Sequence, residues 1–131
     1  MDQMSANYKI SGRVVAEERD REYVGLGKIE VTITPEKGVV IEDKNSETKT
    51  DSQGNFSVEL RNSFIDGNVF VLEFTDKTGK YDNKVLSLPI QGVEFENGDG
   101  LLYMGEYGLV LKDPVKLSLK GSEEAEESID E

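Results

Sequence analysis

Apolar and polar residues alternate with a period of two along most of this chain, and that rhythm predicts strands separated by turns. Tyr8, Ile10, Gly12 and Val14 form the inward face of a first strand, after which the charged Ala16 to Glu22 stretch reads as a solvated loop. Gly25 and Gly27 open a second strand in which Ile29, Val31 and Ile33 alternate with Glu30, Thr32 and Thr34. Pro35 ends it by removing a ladder donor. Val39 to Ile41 is a short apolar run that fits either a strand or a loop plug. Phe56, Val58 and Leu60 alternate with Ser57, Glu59 and Arg61, while Val69 to Phe74 is apolar apart from Glu73, as expected of a central strand that turns Phe70, Leu72 and Phe74 to the core. Val85 to Ile90 is a further strand and Val93 with Phe95 a shorter one. Tyr103, Gly105 and Tyr107 then lead into a closing strand where Val115, Leu117 and Leu119 face inward. No stretch sustains a 3.6-residue apolar stripe over three turns, so helices are not expected.

Between these strands the turn chemistry is explicit. In Thr48 to Val58, Asp51 offers a carboxylate to a backbone N–H two residues on and Gly54 accepts positive φ without a Cβ clash, so the chain reverses there and a hairpin is expected, with Phe56 as its first core residue. Asp76-Lys77-Thr78-Gly79-Lys80 and Gly98-Asp99-Gly100 are further turns. Seven or eight short strands without crossover helices fit an all-β, antiparallel β-sandwich with Greek-key connections. The expected organisation is a disordered N-terminal segment (1–7), one sandwich domain (8–120) and an acidic disordered tail (121–131), since 131 residues are enough for one core and too few for two.

Composition narrows the chemistry. The chain has no Cys, His or Trp, so disulfides, thiolate nucleophiles, histidine proton shuttles and the commonest transition-metal ligands are unavailable, which argues against an enzyme and against a cofactor. The net charge of −12 repels nucleic-acid phosphates, and six of those charges lie in the tail, on Glu123, Glu124, Glu126, Glu127, Asp130 and Glu131. No segment has the run of apolar residues that a membrane-spanning helix needs, and Met1 to Asn7 lacks the apolar core of a signal peptide.

Several ordered pieces carry a resemblance. Tyr8-Lys9-Ile10-Ser11-Gly12-Arg13-Val14-Val15, Gly27 to Ile33, and Thr50-Asp51 with Gly54 and Phe56 together resemble the carboxypeptidase regulatory-like, transthyretin-like sandwich family. Phe74-Thr75-Asp76 with Gly79, then Gly98 to Tyr107 and Asp113 to Lys120, make the chain similar to the radical-SAM-associated lipoproteins of Gram-negative gut anaerobes. The resemblance spans Tyr8 to Lys120. It implies a transthyretin-like or immunoglobulin-like sandwich in a cell-envelope lipoprotein, anchored in the outer membrane through a lipidated N-terminal Cys and encoded beside a radical-SAM enzyme. Its partner would be an envelope protein or glycan, with no nucleic acid and no membrane contact except through that anchor. The chain carries no Cys, so the anchoring residue would belong to a removed leader, and Asp76 to Asn83 lacks part of the acidity that the family's loop tends to carry.

The candidate sites are few. Tyr103 and Tyr107, with Tyr81 and Phe95, would make an aromatic patch for a sugar or peptide, and with Asp99 they place the binding site in the Gly98 to Tyr107 loop. Asp76 and Asp82, near Asp99 and Glu96, are weak Ca²⁺ candidates, because hard carboxylate oxygens suit that ion while Lys77 and Lys80 in the same loop oppose it. The same acids could form an acid/base pair in a calcium-dependent or carboxylate-based glycan-acting enzyme. Against this stands the reading of each Asp as a turn former, and the expectation is a non-catalytic binding module.

Overall fold

The period-two pattern is realised as ten strands: β1 (Ser5–Ala16), β2 (Val24–Gly25), β3 (Glu30–Pro35), β4 (Val40–Asn45), β5 (Glu47–Lys49), β6 (Asn55–Ser63), β7 (Asn68–Thr75), β8 (Lys84–Ile90), β9 (Tyr103–Val110) and β10 (Val115–Leu117). They come from a computed structural model that describes residues 4–17 and 23–121, among which there is no helix. The strands form two sheets packed face to face, an all-β sandwich.

The first sheet is organised around β1, which at 12 residues runs for roughly 36 Å. Its first half lies between β6, antiparallel with Tyr8 opposite Leu60, and β9, parallel with Tyr8 opposite Tyr107. Its last three residues lie between β2, antiparallel, and β10, parallel, and β4 pairs irregularly with the far edge of β6. The second sheet has the order β5-β3-β7-β8 and is antiparallel throughout. Inward side chains of the two sheets meet as alternation predicts. Tyr8 tilts against Phe70 with ring centroids 4.4 Å apart, and Phe56 meets Phe74 edge-on at 5.4 Å. Ile10, Val58 and Leu60 face Val31, Leu72 and Ile33 in the same buried cluster. Burial pushes the Tyr8 hydroxyl up to about 12, with the Asp66 carboxylate adding to the effect.

Several expectations change. Among the described residues the sandwich has ten strands rather than seven or eight, because β2, β5 and β10 are only two or three residues long, too short to leave a period in the sequence. Two pairings of β1 are parallel, which no local pattern signals. Tyr103–Val110 is itself a strand rather than the approach to one, whereas Val93 and Phe95 form no strand and instead plug the core from a loop. Leu119, expected inward, is exposed. Thr48 to Val58 turns as expected but closes no hairpin: β5 pairs with β3 and β6 with β1, so the turn carries the chain from one sheet to the other. The domain also begins before Tyr8. Ser5, Ala6 and Asn7 are buried strand residues held between β6 and β9, with Ala6 continuing the inward face. The tail beyond Gly121 and the first three residues lie outside the described residues, as does most of the charged loop.

β1 therefore joins two poles. At its start, Ser5 N–H donates to Leu102 O at 2.8 Å, Phe64 N–H to Met4 O at 2.7 Å and Ser63 N–H to Val39 O at 2.9 Å, so four chain segments meet there. At its end, Glu17 N–H donates to Leu117 O at 2.9 Å, beside the segment that leads to Gly121.

Candidate functional site

Asp51, Asp76 and Asp99 are spent on turns in one repeated way. The Asp51 carboxylate accepts from Gln53 N–H and Asn55 N–H, both at 2.9 Å. Asp76 accepts from the N–H groups of Thr78, Lys80 and Tyr81, each at 3.0 Å, and from the Thr78 hydroxyl at 2.7 Å. Asp99 accepts from Leu101 N–H at 2.7 Å and Tyr103 N–H at 2.9 Å. These donors stabilise the charged form. The Asn55 N–H holds Asp51 below the usual carboxylate range, and the Tyr103 and Leu101 N–H groups do the same for Asp99. At Asp76 partial burial pushes upward, but the Thr78 hydroxyl and the three N–H groups outweigh it.

Gly54 sits in the first of these turns with φ at +90°, and a Cβ there would lie 2.2 Å from Val14 O. With Asp51 it shapes the turn that leads the chain to Phe56, which is buried in the core. Asp82 lies apart from this pattern. It half-faces a shallow depression of roughly 210 Å³ that it shares with Lys84 and Lys116. Among the described residues no cluster of three or more Asp or Glu is arranged to hold a metal ion.

The tyrosines expected to form one patch are separated by a bulge. Ser5 stands opposite Tyr103 while Ala6 stands opposite Gly105, so β9 inserts a residue and the face reverses between Tyr103 and Tyr107. Gly105 makes this possible with φ at +118°; a Cβ would lie 2.3 Å from Glu96 O, on the loop that bridges to Glu106. Tyr107 consequently turns inward and packs on Phe95, centroids 6.3 Å apart, at the edge of the core. Tyr103 turns outward beneath Arg61, whose guanidinium carbon stands 4.5 Å from the ring centroid. Tyr81 is remote from both, bridged to Leu119 at the opposite pole.

Around Tyr103 the outer face of the first sheet carries a small polar network. Arg61 Nε donates to Ser5 Oγ at 2.8 Å and Asn7 Nδ2 donates to Glu59 Oε2 at 2.6 Å, while the buried Asn7 Oδ1 has no partner among the described residues. Burial pushes the Tyr103 hydroxyl up, and the Glu106 carboxylate pushes it the same way. Arg61 thus covers one face of the Tyr103 ring, and Tyr107 packs against Phe95 at the edge of the core.

Next to this network lies an apolar pole that alternation did not reveal. Leu101 (75% exposed), Leu102 and Met4 project from the pole, joined by Val39 (60% exposed), Val40 and Ile41 from β4 and the segment before it. The hydrogen bonds at the start of β1 place Leu102 beside Met4–Ser5 and Val39 on the far side of Ser63–Phe64. The Leu101-Leu102 pair directly after the Asp99-Gly100 turn was the available signal, since turns rarely carry two large aliphatics without a use. No protein-family model matches the chain, and neither does any curated protein.

Proposed function

We propose that the chain is a non-catalytic binding module of the cell envelope, whose apolar pole takes a protein partner. One observation carries the reading: Leu101, Leu102, Met4 and Val39, drawn from three distant parts of the sequence, are all exposed at one end of the first sheet, Leu102 and Met4 on neighbouring segments and Val39 across the end of β6. Apolar surface gathered in this way loses free energy when it is covered, and it is rimmed here by the Arg61, Glu59 and Ser5 polar network that a partner would need for orientation. Aliphatic side chains of this kind suit a protein more than a glycan. The rival reading, a calcium-dependent or carboxylate-based enzyme, requires acids free to meet a cation or a glycosidic oxygen; of its candidates Asp76 and Asp99 are engaged by backbone donors, while Asp82 lies apart on the shallow depression beside Lys84 and Lys116. The envelope setting and the lipid anchor rest on the resemblance to radical-SAM-associated lipoproteins; a transthyretin-like topology and a link to the radical-SAM enzyme belong to the same proposal.

A photo-crosslinking residue at position 102, compared with one at Ser87 on β8 of the other sheet, tests the docking surface in cells of the native host. A discrete adduct from position 102 alone supports the proposal; adducts from both positions, or from neither, count against it. Intact mass of the protein from that host tests the anchor. A diacyl or triacyl mass on an upstream Cys supports it, and a mass equal to the bare polypeptide counts against it.

A further inference from the structure

At the opposite pole, two antiparallel segments place four lysines together in a protein whose net charge is −12. Lys80 to Lys84 lies against Lys116 to Lys120: Tyr81 bridges Leu119, Lys120 N–H donates to Lys80 O at 3.0 Å and Asp82 N–H to Ser118 O at 2.9 Å. Lys84 Nζ reaches Lys116 O at 3.2 Å, and the Lys120 ammonium comes within 4.0 Å of where a Cβ on Gly79 would lie. Lys84 and Lys116 also line the roughly 210 Å³ depression. The carboxylates close by are Asp82, inside the depression, Glu17, which accepts the Ser118 hydroxyl at 2.6 Å, Asp113, which with Glu17 faces Lys116, and Asp76, which accepts the Lys80 N–H at 3.0 Å. Among the described residues an ion pair joins Lys77 to Glu30 at 3.7 Å, while Lys80, Lys84, Lys116 and Lys120 make none.

We propose that this lysine patch is a docking surface for a run of carboxylates, and that its occupant is the chain's own Glu123 to Glu131. Gly121, the last residue described, directly follows Lys120, so only Gly121 and Ser122 separate the patch from the acidic run that begins at Glu123. Its six acids and no cation are opposite in charge to the four lysines. Ten residues, Ser122 to Glu131, span at most about 33 Å, enough to cross the patch in either direction. Tethering makes the encounter intramolecular, so several individually weak pairs add to a local association that salt screens.

Acylation by an amine-reactive ester, followed by peptide mass spectrometry, reads the contact residue by residue, because nearby carboxylates cover an amine and hold it protonated. The full chain is compared with a chain ending at Gly121 and with the isosteric variant E123Q/E124Q/E126Q/E127Q/D130N/E131Q, which keeps the segment and removes its charge. At low salt the labelling rates of Lys84, Lys116 and Lys120 should rise by roughly threefold or more in both variants, should equalise across the three proteins in high salt, and should not change at Lys9 or Lys37. Unchanged rates at the three lysines, or an equal rise at Lys9 and Lys37, would overturn the assignment.

Discussion

Replacing Gly54 by Ala tests the turn that joins the two sheets. The added methyl would lie 2.2 Å from Val14 O, 3.0 Å from Leu26 N and 3.1 Å from Gly25 Cα, all backbone atoms that have no rotamer to escape into. Moving them breaks two hydrogen bonds, Val14 N–H to Gly54 O at 2.8 Å and Leu26 N–H to Val14 O at 2.9 Å. At about 1 kcal/mol each, with about 1 kcal/mol more for holding a Cβ residue at positive φ, the loss is about 3 kcal/mol. That is a large share of the roughly 5–15 kcal/mol that keeps a domain folded. Gly67 is the internal control: its φ is +76°, yet nothing lies within 4 Å of where its methyl would stand, so Gly67→Ala should lose only the conformational part, about 1 kcal/mol. Urea unfolding with unchanged slope reads both values. Equal losses in the two variants would refute the steric argument and with it the claim that this turn is clamped onto β1.

The other predictions concern charge, packing and docking. Asp76→Asn should destabilise the protein near neutral pH and make its stability less dependent on acidity. The wild-type carboxylate is depressed in the folded state, so its contribution is present above the unfolded value near 4 and is lost as pH falls through the folded one; chemical denaturation from pH 6 down to 2 reads the difference. Tyr8, raised to about 12 in the fold, contributes stability that is complete below the unfolded value near 10 and is lost as pH climbs toward 12. Tyr8→Phe should flatten that alkaline slope in the same assay. Leu72→Ala, at a fully buried position, should cost about 2–5 kcal/mol, whereas Val85→Ala, 56% exposed on the edge strand, should stay within about 0.5 kcal/mol. Leu101→Asp with Leu102→Asp should leave the melting temperature nearly unchanged while removing the partner adduct when the crosslinker is moved to Met4.

Sandwich class and core were legible because alternation reports directly which side chains face inward. Tyr8, Ile10, Val31, Phe56, Leu60, Phe70 and Leu72 are all buried where period two places them. What the pattern misses is non-local. The parallel pairing of β1 with β9 depends on the chain returning from the other sheet, and glycines at 105 and 108 erase the apolar rhythm of β9. The bulge opposite Ser5 and Ala6 then reverses the face of Tyr103 relative to Tyr107, which no residue spacing announces. The aspartates are legible as turn formers because the Asp-x-x-Gly and Asp-Gly contexts are local chemistry. The apolar pole is hidden in the sequence because Met4, Val39 and Leu102 reach the same end of the sheet only through backbone hydrogen bonds among four separate segments, Ser63–Phe64 being the fourth.

Carboxyl-carbon NMR titration of Asp51, Asp76 and Asp99, run with and without millimolar Ca²⁺, bears most directly on the view that these acids serve the fold rather than a reaction. Midpoints below the ordinary aspartate value at all three positions, with shifts indifferent to the ion, are what backbone-capped turns require. A midpoint raised above that value, or a carboxyl resonance that moves with Ca²⁺, would contradict the account and reopen the case for a catalytic or metal-dependent site.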